Sequence, residues 1–582
     1  MTKTQDFDIV GSYNNQRITN IDPERTINMF EYRDPLGKKQ KTLLPTSGLV
    51  DTDFIFTGQT KGFRGQYVLL GYEYLVVGNG FYRIDVSDNL DFLGVLVATE
   101  EGYVGIDANS FQIIIVDGVN GYIWDTIAET FTQITDQAFP SQPLDVCTLD
   151  GFFVVIEGDT PNFQLSTFNQ GLVWGVDTRT FTADFTIGNN WLILTTTENY
   201  QTGVSFTVST TGALPNPLLA ATPYYAIRVD ATHIRVASSL ANAQAGTAIV
   251  LTNNGAPVNT ILSAGQLQQG SITTHPGTMV ACRTLHRRLF LFSQNFTEVW
   301  ENAGIGTNLP FRRNNSLLME YGCAAIGSVA VGFDVLFFIS QDRDGLGSVM
   351  MVQGTQTMPV STRALDFALA RYAAVQQISD CRAFFVKENG IIFYRMNFTQ
   401  ANHTYVYNLS QSIPDTDSTK FWHEEEILDG SRHPAQTHGY FNGGNYVGDY
   451  LVPALYRLSA SVYQNTEEAI KRSRITRALV PPGYQRIRVD RLQIDLLQGQ
   501  IVSGVTPVEM FVRLSISKDG GQSFGYENTA PMGLVGERTF RTVFRKLGTI
   551  KRGQPWVIRV DFYNNYPFVI LGAAWAIEEL PE

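Results

Sequence analysis

The chain has 582 residues, of which 44% are hydrophobic, 12% aromatic and only 17% charged, with 51 glycines; this is the balance of a β-rich, turn-rich protein of several domains and weighs against a helical one. The net charge of −12 comes from scattered Asp and Glu, which argues against broad adhesion to nucleic acid or anionic membranes, because phosphate contacts need clustered Lys and Arg. No stretch approaches the roughly 18 uninterrupted apolar residues of a membrane span, and the opening Met1-Thr2-Lys3-Thr4-Gln5-Asp6 lacks the apolar region of a signal peptide, so a soluble protein made in a cytosol is expected.

Residues 1–60 are polar around short apolar runs, Ile27-Asn28-Met29-Phe30-Glu31-Tyr32 and Leu43-Leu44-Pro45, and read as an N-terminal docking segment. A turn then recurs at a fixed interval: Asn79-Gly80-Phe81, Asn120-Gly121-Tyr122 and Pro161-Asn162-Phe163 place their aromatics 41 residues apart. Each turn follows an apolar run, Tyr74-Leu75-Val76-Val77, Ile113-Ile114-Ile115-Val116 and Phe152-Phe153-Val154-Val155-Ile156. An Asn-Gly pair supplies the positive φ of a tight hairpin turn, and a strand-only period near 40 residues predicts β-propeller blades over residues 61–175. Hairpins of an ordinary sandwich share the turn chemistry but give no reason for an equal interval.

The period breaks over residues 176–275, which are rich in Thr, Asn, Ala and Gln. Alternating strands such as Val204-Ser205-Phe206-Thr207-Val208 and His233-Ile234-Arg235-Val236 predict a small β domain inserted between blades. Blades resume over residues 276–475, with hairpins at Arg288–Ser293 into Glu298-Val299-Trp300, Val335–Ile339 into Ser348–Met351, Ala383–Val386 through Asn389-Gly390, and Tyr446–Asp449 into Ala454–Leu458. One short helical pattern, Ala364 to Tyr372, interrupts them. Seven candidate hairpins imply six to eight blades. From residue 476 to 582, after Pro481-Pro482-Gly483, clean alternation in Arg486 to Leu496 predicts a C-terminal β-sandwich. The expected fold is therefore all-β: a propeller, an inserted β domain and a terminal sandwich.

The stretch from Phe296 to Tyr372 resembles the tail hub, or nozzle, proteins of short-tailed bacteriophages, also called packaged-DNA stabilisation proteins. The resemblance lies in Phe296-Thr297-Glu298-Val299-Trp300-Glu301, Pro310-Phe311-Arg312-Arg313, Glu320 to Ala330, and Gly345 to Gly354 leading into Val360-Ser361-Thr362-Arg363-Ala364-Leu365. Glu24 to Glu31, Leu44 to Leu49 and Gly443 to Tyr456 look similar. The inserted domain looks like β modules of other phage structural proteins. The resemblance implies a virion protein made in the host cytoplasm and assembled as a homohexameric ring. Its partners would be the adaptor, or head-to-tail connector, ring beneath the portal and a tail fibre, tailspike or plug protein. Such a ring extends the DNA channel, retains the packaged genome and lets it pass at ejection, with no sequence-specific DNA binding.

No enzymatic activity, cofactor or metal is expected. Ser517-Lys518-Asp519-Gly520-Gly521-Gln522-Ser523-Phe524 matches the Asp-box of sialidase-like propellers, where the Asp closes a structural turn; Arg312 and Arg313 lack the context of a sialidase arginine cluster. Asp342-Arg343-Asp344-Gly345 opens like a calcium loop but lacks the distal Glu, and Trp422-His423-Glu424-Glu425-Glu426 lacks the second histidine of a zinc helix. His423, His433 and His438 read as loop histidines unless they converge on a metal. Cys147, Cys282, Cys323 and Cys381 suit reduced core thiols. No phosphate-cradling glycine loop or nucleophile elbow occurs. The densest basic run, Lys471, Arg472, Arg474 and Arg477, is the expected contact to channel DNA or to a neighbouring subunit, against the reading of a solvated strand edge. The alternative function is a peripheral tail protein that binds or cleaves host surface glycans.

Overall fold

The computed structural model describes residues 3–15, 23–33, 41–136, 138–174, 178–186, 189–194, 197, 200, 202–263, 269–274, 277–304, 310–342, 345–412, 420–480, 485–498, 509–534, 537, 540–551, 553–563 and 565–580. The chain divides into two compact units, Met1–Val95 with Tyr321–Glu582, and Leu96–Glu320.

In the second unit three four-stranded antiparallel meanders follow one another. They are Gly105–Ala108 to Thr130–Gln133, Pro143–Leu149 to Asn162–Leu165 completed by Gln269–Ser271, and Met279–Leu285 to Phe311–Arg313. The central strand of the second meander, Phe152–Glu157, buries apolar side chains on both faces, Phe153 and Val155 toward the first meander and Val154 and Ile156 toward the third. Ile114, Val116, Val146, Phe153 and Trp174 form the core between the first two meanders, and Cys147, Val154, Phe163, Cys282, Leu289 and Trp300 form the core between the second and third. This face-to-face repetition of meanders is the propeller-blade arrangement. All four cysteines are buried and stand outside any disulfide.

The inserted domain is a closed six-stranded barrel spanning Thr178–Asp184 to Asn259–Ser263. Inward-facing Phe181, Leu192, Phe206, Val208, Ala226, Ile234 and Ile261 fill it. Sequence patterning placed it between blades; it instead interrupts one, because the fourth strand Gln269–Ser271 returns to pair with Asn162–Leu165.

The first unit holds four more blade-type sheets. One runs from Phe63–Leu69 to Leu90–Val95, and a second is built on Val335–Asp342 and Gly345–Gln353. A third runs from Arg382–Glu388 to Trp422–Glu424, and a fourth from Ala435–Phe441 to Leu455–Ser459. The helix Arg363–Ala374 starts where the Thr362 hydroxyl caps Leu365 N and packs Leu365 and Leu369 against the core of the second and third sheets. The N-terminal segment is dispersed among these layers. Gly48–Asp51 adds the fourth strand to the sheet of Leu455–Ser459, and Pro23–Ile27 extends the third sheet beside Trp422–Glu424. Lys3–Phe7, Met29–Arg33 and Lys41–Pro45 join the terminal sandwich.

That sandwich sets Arg486–Gln498, Thr542–Ile550 and Phe568–Leu580 against Arg472–Ile475, Glu509–Ser517, Asn528–Leu534 and Val557–Phe562. Alternate residues Leu492, Ile494, Val512, Leu514, Val560 and Ile570 meet between the sheets. Each such fully buried side chain contributes about 1.5–3 kcal/mol.

The 41-residue interval marks one register position. Phe81, Tyr122 and Phe163 are buried opposite Val76, Ile115 and Ile156 respectively. The turn chemistry differs from the expectation: positive φ falls on Gly78, Gly118 and Asp159, not on the Asn-Gly pairs. Gly80 and Gly121 already belong to the second strand. At Gly121 a Cβ would stand 2.3 Å from the Phe139 ring, so close packing rather than φ requires glycine there.

Candidate functional site: a buried clamp of charges

Polar side chains concentrate in the first unit, where Pro23–Ile27, Trp422–Glu424 and Arg472–Ile475 run side by side. Strand alternation sends Trp422 and Glu424 to one face and His423 to the other. Trp422 Nε1 donates to Val360 O at 2.9 Å. Glu424 accepts from Arg25 Nε at 2.6 Å and lies 2.6 Å from His403 Nε2, while Arg25 Nη2 reaches Glu426 at 2.8 Å. Burial alone would push the Glu424 carboxyl up, but Arg25 and His403 hold it down at about 2.

Glu425 stands 2.9 Å from Arg395, with both side chains almost fully buried. Burial is again outweighed, here by Arg395, and the carboxyl is held well below the usual range. Glu388, 3.9 Å from the same guanidinium and hydrogen-bonded to Ser47, is pushed up by burial.

Asn28 joins three segments at once. It sits in the left-handed region at φ 54°, which Asn tolerates, and is buried. Its Nδ2 donates to Glu426 O at 2.8 Å and Lys471 O at 2.7 Å, and its Oδ1 accepts from Glu426 N at 3.0 Å.

Two residues of the basic run belong to this clamp, which corrects the expectation that they face DNA or a neighbour. Arg472 and Arg474 are fully buried because their strand is central, flanked by Pro23–Ile27 and Val557–Phe562. Arg474 donates to Ile9 O at 2.7 Å and to Thr26 Oγ1 at 2.8 Å, and pairs with Glu24. Arg472 donates to Tyr463 O and lies over the Tyr463 ring, and burial lowers its guanidinium to about 10. Arg477 is exposed and pairs with Asp8 at 2.6 Å; Lys471 is half-buried. A concavity of about 400 Å³ beside the clamp is lined by Arg33, Lys41, Arg363, Lys420 and Arg477 and by Asp8, Glu24 and Glu31, so its charges are mixed.

The three histidines are held separately. His423 lies 3.5 Å from Glu425, His433 Nδ1 accepts from Ala435 N, and His438 contacts Asn445 and stacks on Phe384. Burial lowers His433 to about 3 and His438 to about 4. Among the described residues no three His, Cys, Asp or Glu side chains are grouped to hold a metal ion. Asp519 Oδ1 accepts from Gln522 N and Ser523 N, both at 3.0 Å, and from Ser517 Oγ, closing its own turn. Arg312 pairs with Glu301, and Arg313 with Glu298 and Thr274. Asp342 and Gly345 pair at the ends of two strands, whereas Arg343, Asp344 and Pro481-Pro482-Gly483 fall outside the described residues. Sequence reasoning missed Arg25, Asn28 and Arg395; the available signal was three consecutive glutamates beside a buried strand, which demand cationic partners.

Residues 236–463 match the family model described as "Phage_stabilise: Bacteriophage P22 Gp10, beta-propeller". The match over this region is to the family that the sequence resembles, the packaged-DNA stabilisation proteins of bacteriophages. No curated protein matches the chain. Among solved structures, the computationally designed Ika8 protein is 8% identical, with 71% of this chain and all of that one covered at a TM-score of 0.32.

Proposed function

We propose that the protein is a structural component of a short phage tail: a hub or nozzle that continues the portal-adaptor channel, holds the packaged genome and releases it at ejection. The observation that carries this reading is the family match over residues 236–463, which takes in the blade Met279–Leu285 to Phe311–Arg313 and the sheets built on residues 322–459. The clamp supports it physically. Its most basic strand is committed to holding the fold, as a stiff, non-adhesive wall requires, and the net charge of −12 discourages DNA from sticking. In this reading the protein is not an enzyme, sits in the virion tail and forms a homo-oligomeric ring, six copies being expected, against an adaptor ring on one side and a fibre, tailspike or plug protein on the other.

The test is the mass of the purified protein by light scattering, with and without its adaptor ring, followed by imaging of the assembled particle. A ring on the channel axis supports the reading. A chain found only at the tail periphery, or one that cleaves host glycans, overturns it.

A further inference from the structure

On the outer face of the C-terminal sandwich, three arginines have no carboxylate partner among the described residues. Arg491 and Arg545 stand directly opposite each other in the antiparallel pair Arg486–Gln498 and Thr542–Ile550. With Arg541 they line a concavity of about 370 Å³. All three are exposed, and among the described residues none has a carboxylate within ion-pair reach, whereas Arg488 on the same strand pairs with Asp490 at 2.8 Å. Like charges directly opposed across a strand pair are destabilising, and carboxylates entering the concavity would relieve that repulsion. Arginine's planar fork suits bidentate capture of carboxylate.

The same unit carries the complement. Gln464–Asn465 and Glu468–Ala469 form a short hairpin, and Glu467 and Glu468 are exposed at its turn, with no ion-pair partner among the described residues. We propose that the arginine concavity receives the Glu467–Glu468 hairpin of a second copy of this chain. Acceptor and donor are different residues of one chain, so the contact is heterologous and repeats head to tail, as a ring requires. The proposal rests on the homo-oligomeric part of the function proposed above and names the surfaces that would make it.

The experiment uses the full-length chain, its Arg491→Glu/Arg545→Glu variant and its Glu467→Lys/Glu468→Lys variant, with mass measured by light scattering over a range of concentrations. Wild type is expected to self-associate at low salt and to weaken as salt rises. Each reversed chain should associate at least tenfold more weakly. An equimolar mixture should recover association, because the glutamates now in one concavity meet the lysines now on the other hairpin; misfolded chains would not rescue each other. Arg491→Gln/Arg545→Gln, a milder change, should weaken association in the same direction.

Unchanged association in the variants overturns the contact and leaves the oligomeric hub standing. So does wild type that stays monomeric at low salt yet forms a ring on the adaptor. Wild type monomeric under both conditions overturns both readings. Reversed chains that fail to rescue each other overturn the pairing. Loss of affinity for double-stranded DNA in Arg491→Gln/Arg545→Gln, with mass unchanged, makes the concavity a nucleic-acid face and overturns the proposal as well.

Discussion

Arg25 and Glu424 stand 399 residues apart along the chain and 2.6 Å apart in space. The contact pins the N-terminal segment to the last strand of a blade and completes a chain of polar contacts with His403 and Glu426. Removing the carboxylate leaves a partly buried guanidinium short of its main partner. Glu424→Gln is therefore expected to destabilise the first unit by about 3 kcal/mol, read from denaturant unfolding at pH 7. The folded carboxyl titrates near 2, below its ordinary 4.5. Its contribution is thus complete above pH 4.5 and is lost as pH falls toward 2, and the gap between wild type and variant should close over that window.

Glu73 has the opposite sign. It is fully buried, its Oε2 has no hydrogen-bond partner among the described residues, and Gln66 is the partner of Oε1. Burial raises the carboxyl to about 7. Stability from this site is present below pH 4.5 and is lost as pH rises through 7. Glu73→Gln should stabilise the protein by about 3 kcal/mol at pH 8 and by almost nothing at pH 4.5, measured as paired unfolding curves.

Burial separates the members of the basic run. Arg474→Met strands Glu24 and empties the hydrogen bonds to Ile9 and Thr26, and should cost about 3 kcal/mol. Arg477→Ala removes a pair in which both side chains are 58% exposed, and should shift stability by less than about 1 kcal/mol. Equal effects of the two substitutions on the unfolding midpoint would contradict this assignment.

The barrel is self-contained, with its own core and closed strand order. Replacing residues 176–266 by a short Gly/Ser linker should leave Gln269–Ser271 paired with Asn162–Leu165. A soluble chain that keeps the near-ultraviolet circular dichroism of the buried Trp174 and Trp300 is the expected outcome. Insoluble product would show that the barrel supports its host blade.

The sheets were legible because period and register are written locally. Asn389-Gly390 does carry positive φ at both residues, 47° and 84°, and joins Arg382–Glu388 to Ile391–Phe398 as turn chemistry dictates. The same dipeptide at 79–80 and 120–121 serves other ends, since a glycine forced by a nearby ring looks identical in sequence to one forced by φ. The clamp was not legible for a related reason. Whether Arg472 and Arg474 meet solvent depends on Pro23–Ile27 and Val557–Phe562 lying against their strand, and nothing local in Lys471 to Arg477 announces those distant neighbours. The opposition of Arg491 and Arg545 was hidden likewise, because cross-strand register decides which residues oppose each other.

The strand Gly48–Asp51 lies inside a sheet whose other members run from Ala435–Phe441 to Glu468–Ala469. A ribosome adding about 5–20 residues per second emits Arg25 roughly 20 to 80 s before Glu424. Through that interval the first sixty residues present strand edges without their native neighbours, beside every other nascent copy. Synthesis is thus the stage at which this chain is most exposed to wrong pairing. Once the late strands arrive, beginning and end are interleaved in the same sheets, so fraying at either terminus must disturb the other.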